Sequence, residues 1–404
     1  MILARVFLPF AFGYFLSYLY RVVNAVIAPD LVRDAGLDVN DLGLLTSAYF
    51  LTFAAFQLPL GILLDRFGPR RTEAALLLFA AAGAFVFGMS DGTTGLIVGR
   101  ALIGFGVSAC LMAAFKAFVM WFPTGRLPLV NGCQMAAGGL GALAATRPVE
   151  TALHFTDWRG LFVVLGILTC LAAATIFFAV PERRTTTTSP GLGDQLAGIR
   201  RVFSSSLFWR AAPLTVMSQA SFLSIQGLWS GPWLRDIGGL GREAVADHLF
   251  LVAASMVAGF VAMGLAAERL SRFGIRPIIV SAAGMALFML VQVAVVLQWT
   301  GAVLPIWMLF GFFGTTGILP YAALSQRFPA ELAGRLNTGL NVMVFVLAWA
   351  AQWGIGAVID QWPTTASRGY DPAGYQAGFG MLLVLQVAAL AWFMLYRGDR
   401  VPEG

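Results

Sequence analysis

The chain has 404 residues, of which 59% are hydrophobic and 11% charged, and its mean hydropathy is +0.80. Soluble domains carry about a quarter charged residues, so a soluble globular protein is excluded. The length suits about twelve membrane helices of about 20 residues each, joined by short loops. The net charge of +6 does not point to nucleic acid, because the arginines gather in alternate loops, the mark of one membrane face.

In chain order, apolar runs bounded by Gly, Pro and charge predict spans over 6–28, 43–64, 72–89, 96–120, 128–148 and 159–180, then 208–230, 247–268, 277–297, 302–323, 337–359 and 375–396. Arg5 precedes an apolar run from Val6 past Leu19, with no small-residue cleavage site and hydrophilic stretch behind it. That pattern predicts a first span, not a cleaved leader. The loops expected inside hold Arg66, Arg70, Arg71, Arg126, Arg183, Arg184, Arg200, Arg201, Arg269, Arg272, Arg276, Arg327 and Arg335, joined by Arg397 and Arg400 in the tail. Those expected outside hold Arg33, Arg159, Arg235, Arg242 and Arg368. The asymmetry places both termini in the cytoplasm.

A polar, breaker-rich stretch from Pro181 to Asp194 halves the chain. The expected organisation is therefore 1–181, a cytoplasmic linker over 182–206, and 207–404. Within the linker, Gln195–Ser206 reads either as an amphipathic surface helix or as solvated chain.

Two loops occur twice. Gly61-Ile-Leu-Leu-Asp65-Arg66-Phe-Gly68-Pro-Arg70-Arg71 returns as Gly264-Leu-Ala-Ala-Glu268-Arg269, followed by Arg272, Gly274 and Arg276. Phe122-Pro-Thr-Gly-Arg126 with Asn131 and Gly132 returns as Phe328-Pro through Arg335, with Asn337 and Gly339. Repeats at matching places indicate a tandem duplication.

Charges inside spans are expensive and mark function by default. Arg21, Arg100 and Lys116 are the basic candidates, and Lys116 is the sole lysine of the chain. Tyr14, Ser17, Tyr18, Arg21 and Asn24 share one face of span 1, too polar to meet lipid, so that face lines a cavity. A guanidinium there suits a carboxylate or phosphate through its planar two-pronged donors. Lys116, about 12 Å past the middle of span 4, either snorkels to the surface or contacts an anion. Arg100 sits near the outer end of span 4 beside spaced glycines, where packing or gating is the expected role.

No Asp or Glu falls in the middle of a predicted span: Glu73, Glu150, Asp157, Glu268 and Asp360 are all placed at or near helix ends. This weakens a proton-driven reading, although Glu150 lies close to Arg147. In the second half, Ser218, Gln219, Gln226 and Trp229 give span 7 a polar and aromatic lining, and Gly231-Pro232 is expected to break it at its outer end. Tyr321, Asn341, Trp349 and Gln352 add neutral polar groups on spans 10 and 11. Cys110, Cys133 and Cys170 lie inside apolar runs, and His154 and His248 stand apart. No disulfide framework, metal site or cofactor is expected, and without a phosphate-cradling loop ATP is not the energy source.

The Gly61–Arg71 loop resembles the signature loop of the major facilitator superfamily. The resemblance implies an all-α membrane protein of twelve transmembrane helices in two pseudo-symmetric six-helix bundles, working by alternating access. It implies a gating role for Gly61, Asp65, Arg66, Gly68 and Arg70, and with them Arg100, Glu268 and Arg269; contacts of Asp65 with an arginine or with the start of span 11 would latch the cytoplasmic side. The Tyr-x-x-Arg pattern of span 1 resembles the organophosphate and organic-anion branches, where the arginine binds the substrate anion. Substrate contacts are then expected from Arg21, Tyr14, Tyr18, Asn24 and Lys116, and from Gln226, Trp229, Tyr321 and Asn341. Span 7 lacks the second arginine of the organophosphate branch, which argues for a smaller anion. Span 5 lacks the Gly-Pro pair of drug antiporters.

The expected function is a monomeric inner-membrane secondary transporter of a small anionic or zwitterionic metabolite, an organic acid or amino acid, with H+ or Na+ as coupling ion. It is not an enzyme. Two alternatives stand beside it: a transporter-like receptor signalling through 182–206, and an exporter of drug-like compounds.

Overall fold

A computed structural model describes residues 3–35, 39–182, 192–363 and 370–396. Arg183, Arg184, Arg368, Arg397 and Arg400 lie outside the described residues, and the side chain of Arg147 is not described. Among the described residues every regular element is helical, and nine helical stretches are long and apolar enough to cross a membrane.

The helices follow the twelve apolar runs. Span 1 is Leu8–Ala35. Span 2 begins as Val39–Ala55 and continues beyond a turn at Phe56 into the helix Gln57–Met89. That helix loses its geometry at Gly68, where φ is +78°. A left-handed backbone there is cheap only for glycine, and Pro69 starts the next helix with its ring preset for a first turn; span 3 runs from there to Met89. Span 4 is Thr93–Val107 plus Cys110–Trp121, span 5 Leu127–Ala144 and span 6 Trp158–Ala179. The helix Leu192–Phe203 follows, so the linker does contain a helix; Gly198 and Val202 are buried and Arg200 is exposed. Span 7 is described below, span 8 is Arg242–Ser271 and span 9 Pro277–Val296. Span 10 is Val303–Gly314 and Leu319–Ser325 joined through Thr315–Ile318, span 11 is Ala333–Ile359 and span 12 Pro372–Leu395.

Spans 4 and 10, which occupy matching places in the duplication, are both interrupted part-way along. At the first break the carbonyl of Ser108 accepts from Gln57 Nε2 at 3.2 Å, and at the second the carbonyl of Thr316 accepts from Ser281 Oγ at 3.1 Å. A carbonyl freed inside a membrane helix must find such a partner, because lipid supplies none.

Span 7 corrects an expectation. Its helix is not broken at Gly231-Pro232. Ser206–Ser224 passes into a wide π turn over Ile225–Trp229 and resumes as Ser230–Asp236. Pro232 cannot donate to the preceding turn, and the wide turn just before it absorbs the mismatch.

Two compact units emerge. The first comprises Met1–Val130, Gln134–Ile199 and Pro329–Gly339; the second comprises Asn131–Cys133, Arg200–Phe328 and Leu340–Gly404. In the second unit, Leu214, Met285, Met289 and Ala389 of spans 7, 9 and 12 form an apolar core, and Ala267, Val280 and Leu319 of spans 8, 9 and 10 form another. Large apolar side chains also face outward, among them Leu78, Leu171, Leu290 and Val384. Such exposure is an aggregation liability in water and is normal in a bilayer, where packing between helices rather than hiding of apolar surface drives assembly.

Candidate substrate site and gate

In the first unit, the polar face of span 1 is buried. Tyr14 and Ser17 are almost fully excluded from solvent, and the rings of Tyr14 and Tyr18 meet edge to face at 5.1 Å. Tyr14 Oη donates to Met135 Sδ of span 5 at 3.3 Å. The guanidinium of Arg21 lies 4.6 Å from the ring centre of Tyr18, 5.2 Å from Phe53 and 6.0 Å from Phe50. It also donates to the Tyr49 hydroxyl, which in turn donates to the Ser17 carbonyl at 3.4 Å. Asn24 Oδ1, one turn on, is buried and makes no hydrogen bond among the described residues. The result is a cation held by aromatic faces, each contributing about 0.5–2 kcal/mol, with a vacant acceptor close by in sequence. The aromatic partners from span 2 were hidden inside an apolar run and were not anticipated.

Asp65 sits at the end of span 2. Its Oδ1 is 2.9 Å from Lys116 Nζ and its Oδ2 is 3.1 Å from Arg335 Nε, and all three side chains are buried. The backbone N–H of Gly334, in the first turn of span 11, also donates to the carboxylate, where the helix dipole favours negative charge. Span 2 approaches span 11 closely: a Cβ on Gly61 would stand 2.5 Å from Thr338 Oγ1 and 3.3 Å from the Arg335 Cα. Lys116 thus neither snorkels nor stands ready as an anion contact. A straight-helix depth estimate ignored the acid that another span brings to it. Arg335 was visible only as one more inner-loop arginine, although the Phe328–Arg335 repeat pairs it with Arg126.

The other gate residues lie elsewhere. Arg70 donates to the Phe177 carbonyl at 2.7 Å and lies 3.8 Å from Glu182; Arg71 pairs with Glu182, and Arg66 is exposed. Arg100 is fully buried, donates to the Tyr20 carbonyl at 2.8 Å, and lies 5.1 and 5.4 Å from the ring centres of Phe87 and Phe162. Glu150 is exposed, in the short helix Arg147–Ala152. Glu73, expected at a helix end, is fully buried. Span 3 restarts at Pro69 rather than at residue 72, which moves Glu73 a turn inward.

In the second unit, Trp229 in the π turn donates from Nε1 to the Gln352 carbonyl at 3.2 Å, and its ring meets Tyr370 and Tyr375. Tyr321 and Asn341 are buried, Gln226 is half-buried, and Trp349 faces outward at 70% exposure. Beyond the π turn, Asp236 accepts from Tyr375 Oη at 2.8 Å, from the Tyr370 N–H at 3.1 Å and from Arg235 Nε at 2.6 Å. In the repeated loop, Glu268 is buried and paired with Arg272 at 2.9 Å on its own helix, and Arg269 is exposed.

Residues 10–352 match the profile of the Major Facilitator Superfamily. The chain belongs to the major facilitator superfamily. Its fold is that of the Escherichia coli fucose:proton symporter (TM-score 0.74, 15% identity, 98% of this chain and 100% of that one). The proton:xylose symporter XylE is similar to the same degree, with TM-score 0.72, 14% identity, and 99% and 96% of the two chains covered. Among curated proteins, this facilitator-family chain is 28% identical over 203 residues to a probable sulfoacetate transporter of Cupriavidus necator, covering 49% of this chain and 47% of the relative. It is 25% identical over 269 residues to a probable L-galactonate transporter of Escherichia coli (62% and 59%), and 27% identical over 175 residues to a hexuronate transporter of that organism (42% and 40%). Each match spans less than two thirds of the relative's length. The protein is a multi-pass membrane protein of this family, and these relatives and fold neighbours are transporters, not enzymes.

Proposed function

We propose that the protein is an inner-membrane secondary transporter that moves a small organic acid anion by alternating access. The observation that carries this reading is the Arg21 guanidinium on a buried polar face, held by the rings of Tyr18, Phe53 and Phe50. Aromatic faces position a cation without cancelling its charge, so the site keeps its attraction for an anion. Tyr14, Tyr18 and Asn24 complete the contacts from the first unit; Gln226, Trp229, Tyr321 and Asn341 are the contacts assigned to the second. The relatives named for sulfoacetate, L-galactonate and hexuronate are all named for acids, which supports a carboxylate or sulfonate over a zwitterion.

The gate, in this reading, is Asp65 with Lys116, Arg335 and the first turn of span 11, on the cytoplasmic side, with both termini cytoplasmic and the linker over 182–206 between the halves. Lys116 belongs to the gate and leaves the substrate list. Thermal melting of the purified protein against sulfoacetate, L-galactonate, hexuronates, amino acids and lipophilic cations tests the substrate class, since a ligand that binds the folded state raises the melting temperature. A shift from an acid that disappears in Arg21→Ala is the expected result. A shift from lipophilic cations alone would replace the anion reading with a drug exporter. Uptake of the bound acid into proteoliposomes separates a transporter from a receptor.

A further inference from the structure

Glu73 is the buried acid that neither the substrate site nor the gate uses. It has no solvent exposure, and among the described residues its carboxyl has no hydrogen-bonding neighbour beyond the Cys110 thiol of span 4. It is seated in a notch on span 1: a Cβ on Gly13 would stand 2.6 Å from Glu73 Oε1, and Ile176 of span 6 and Leu77 line the same contact. The notch exists because residue 13 has no side chain.

The charged and titratable groups around this notch are accounted for. From span 4 comes the buried Cys110 thiol, which interacts with Glu73. From span 1 come Tyr14 and Arg21, both of which interact with Cys110. The contact from span 6 is aliphatic. Before the Gly68 break Asp65 is taken up by Lys116 and Arg335, and on Glu73's own helix Arg70 and Arg71 are drawn to Glu182. Among the described residues no cation pairs with Glu73.

A carboxylate ion buried without a counter-ion, with only a weakly donating thiol beside it, costs several kcal/mol or more, and a neutral acid avoids most of that. The seat therefore suits the acid with its proton on. It also lies against Gly13, the residue preceding Tyr14.

We propose that Glu73 is the proton-binding site of this protein, and that its protonation couples substrate movement to a proton. The inference rests on the transport reading above. While span 1 packs against it, Glu73 holds its proton. When span 1 moves and water reaches the notch, the O–H bond breaks heterolytically, the proton passes to water and the carboxylate keeps the electron pair. Re-seating against Gly13 requires a proton back. A monoanion carried with one such proton crosses without net charge.

Two measurements test this. Infrared difference spectra of the reconstituted protein across a pH titration should show the carbonyl stretch of a buried protonated carboxyl at neutral pH, absent in Glu73→Gln. A wild-type spectrum without that band overturns the proposal, and this readout needs no substrate, so it stands even if the acid-transport reading fails. With a pH dye in proteoliposomes, sulfoacetate, L-galactonate or a hexuronate should carry protons in wild type. In Glu73→Gln proton movement and uphill accumulation should be lost while counterflow exchange of the same acid persists. Proton movement that survives in a folded Glu73→Gln protein overturns it as well. Gly13→Ala, which pushes the carboxyl from its seat while keeping it, should shift the pH at which the infrared band titrates; an unchanged titration counts against the proposal.

Discussion

Asp65 and Glu73 lie on either side of the Gly68 turn, and both are buried carboxyl groups, yet their surroundings are opposite. Asp65 has a lysine, an arginine and a helix N-terminus around it. Glu73 has a glycine, two aliphatic side chains and a thiol. One site is built for a fixed negative charge and the other for a group that changes charge. Sequence distance says nothing about this difference; the partners from other spans come from spans 1, 4, 6 and 11.

The largest effect should come from Asp65→Asn. It leaves Lys116 and Arg335 buried without their counter-charge, and breaking a buried pair this way costs about 3–5 kcal/mol. The closed gate should open, read as longer spectroscopic distances between the ends of spans 2 and 11. Wild-type distances would show that Asp65 is no latch. Lys116→Met and Arg335→Met sharpen the point, since in a double-mutant cycle each should couple to Asp65 by about 1–3 kcal/mol. Additive stabilities would reduce the cluster to coincidental proximity.

Arg21→Ala should cost about 1.5–3 kcal/mol of anion binding, a tenfold to hundredfold loss of affinity, with melting of the unliganded protein nearly unchanged. Unaltered affinity would remove Arg21 from the site. Glu73→Gln, the neutral mimic of a protonated acid, should change stability by about 1 kcal/mol or less, in contrast to Asp65→Asn. Equal destabilisation by the two would erase the distinction between them.

Asp236 supplies a third kind of acid, its side chain little exposed but its cation partner Arg235 more than half exposed. Burial works to raise its titration point, but Arg235, the Tyr370 N–H and the Tyr375 hydroxyl outweigh it and hold the carboxyl below its usual value. A lowered folded value means the contribution is full above the unfolded value of about 4 and is lost as pH falls below it. With Arg235 this exposed to solvent the loss should stay under about 1 kcal/mol, seen as acid loosening of the Trp229–Tyr370–Tyr375 cluster in tryptophan fluorescence. A signal flat down to pH 3 would count against it.

How far the sequence carried depended on the kind of signal. The twelve apolar runs and the two repeated loops were legible because lipid demands long apolar stretches and water demands charged turns. Arg21 was legible because its face is polar at helical spacing. Glu73 does lie near a helix end, but its burial was not legible, because the notch at Gly13 that seats it belongs to another span. Lys116 was misjudged because depth along one span does not reveal an acid arriving from another. The π turn of span 7 leaves no mark in composition, and Tyr49 and Phe53 look like ordinary membrane residues until Arg21 is seen beside them.

The pairing of Lys116 with Asp65 also gives the protein a native reporter. The chain has one lysine, and its amine is buried against a carboxylate. Acylating reagents attack only an accessible, deprotonated amine, and a paired ammonium is neither. The rate at which an amine-selective label enters Lys116 therefore counts the openings of this contact, with no probe introduced. It should rise in Asp65→Asn.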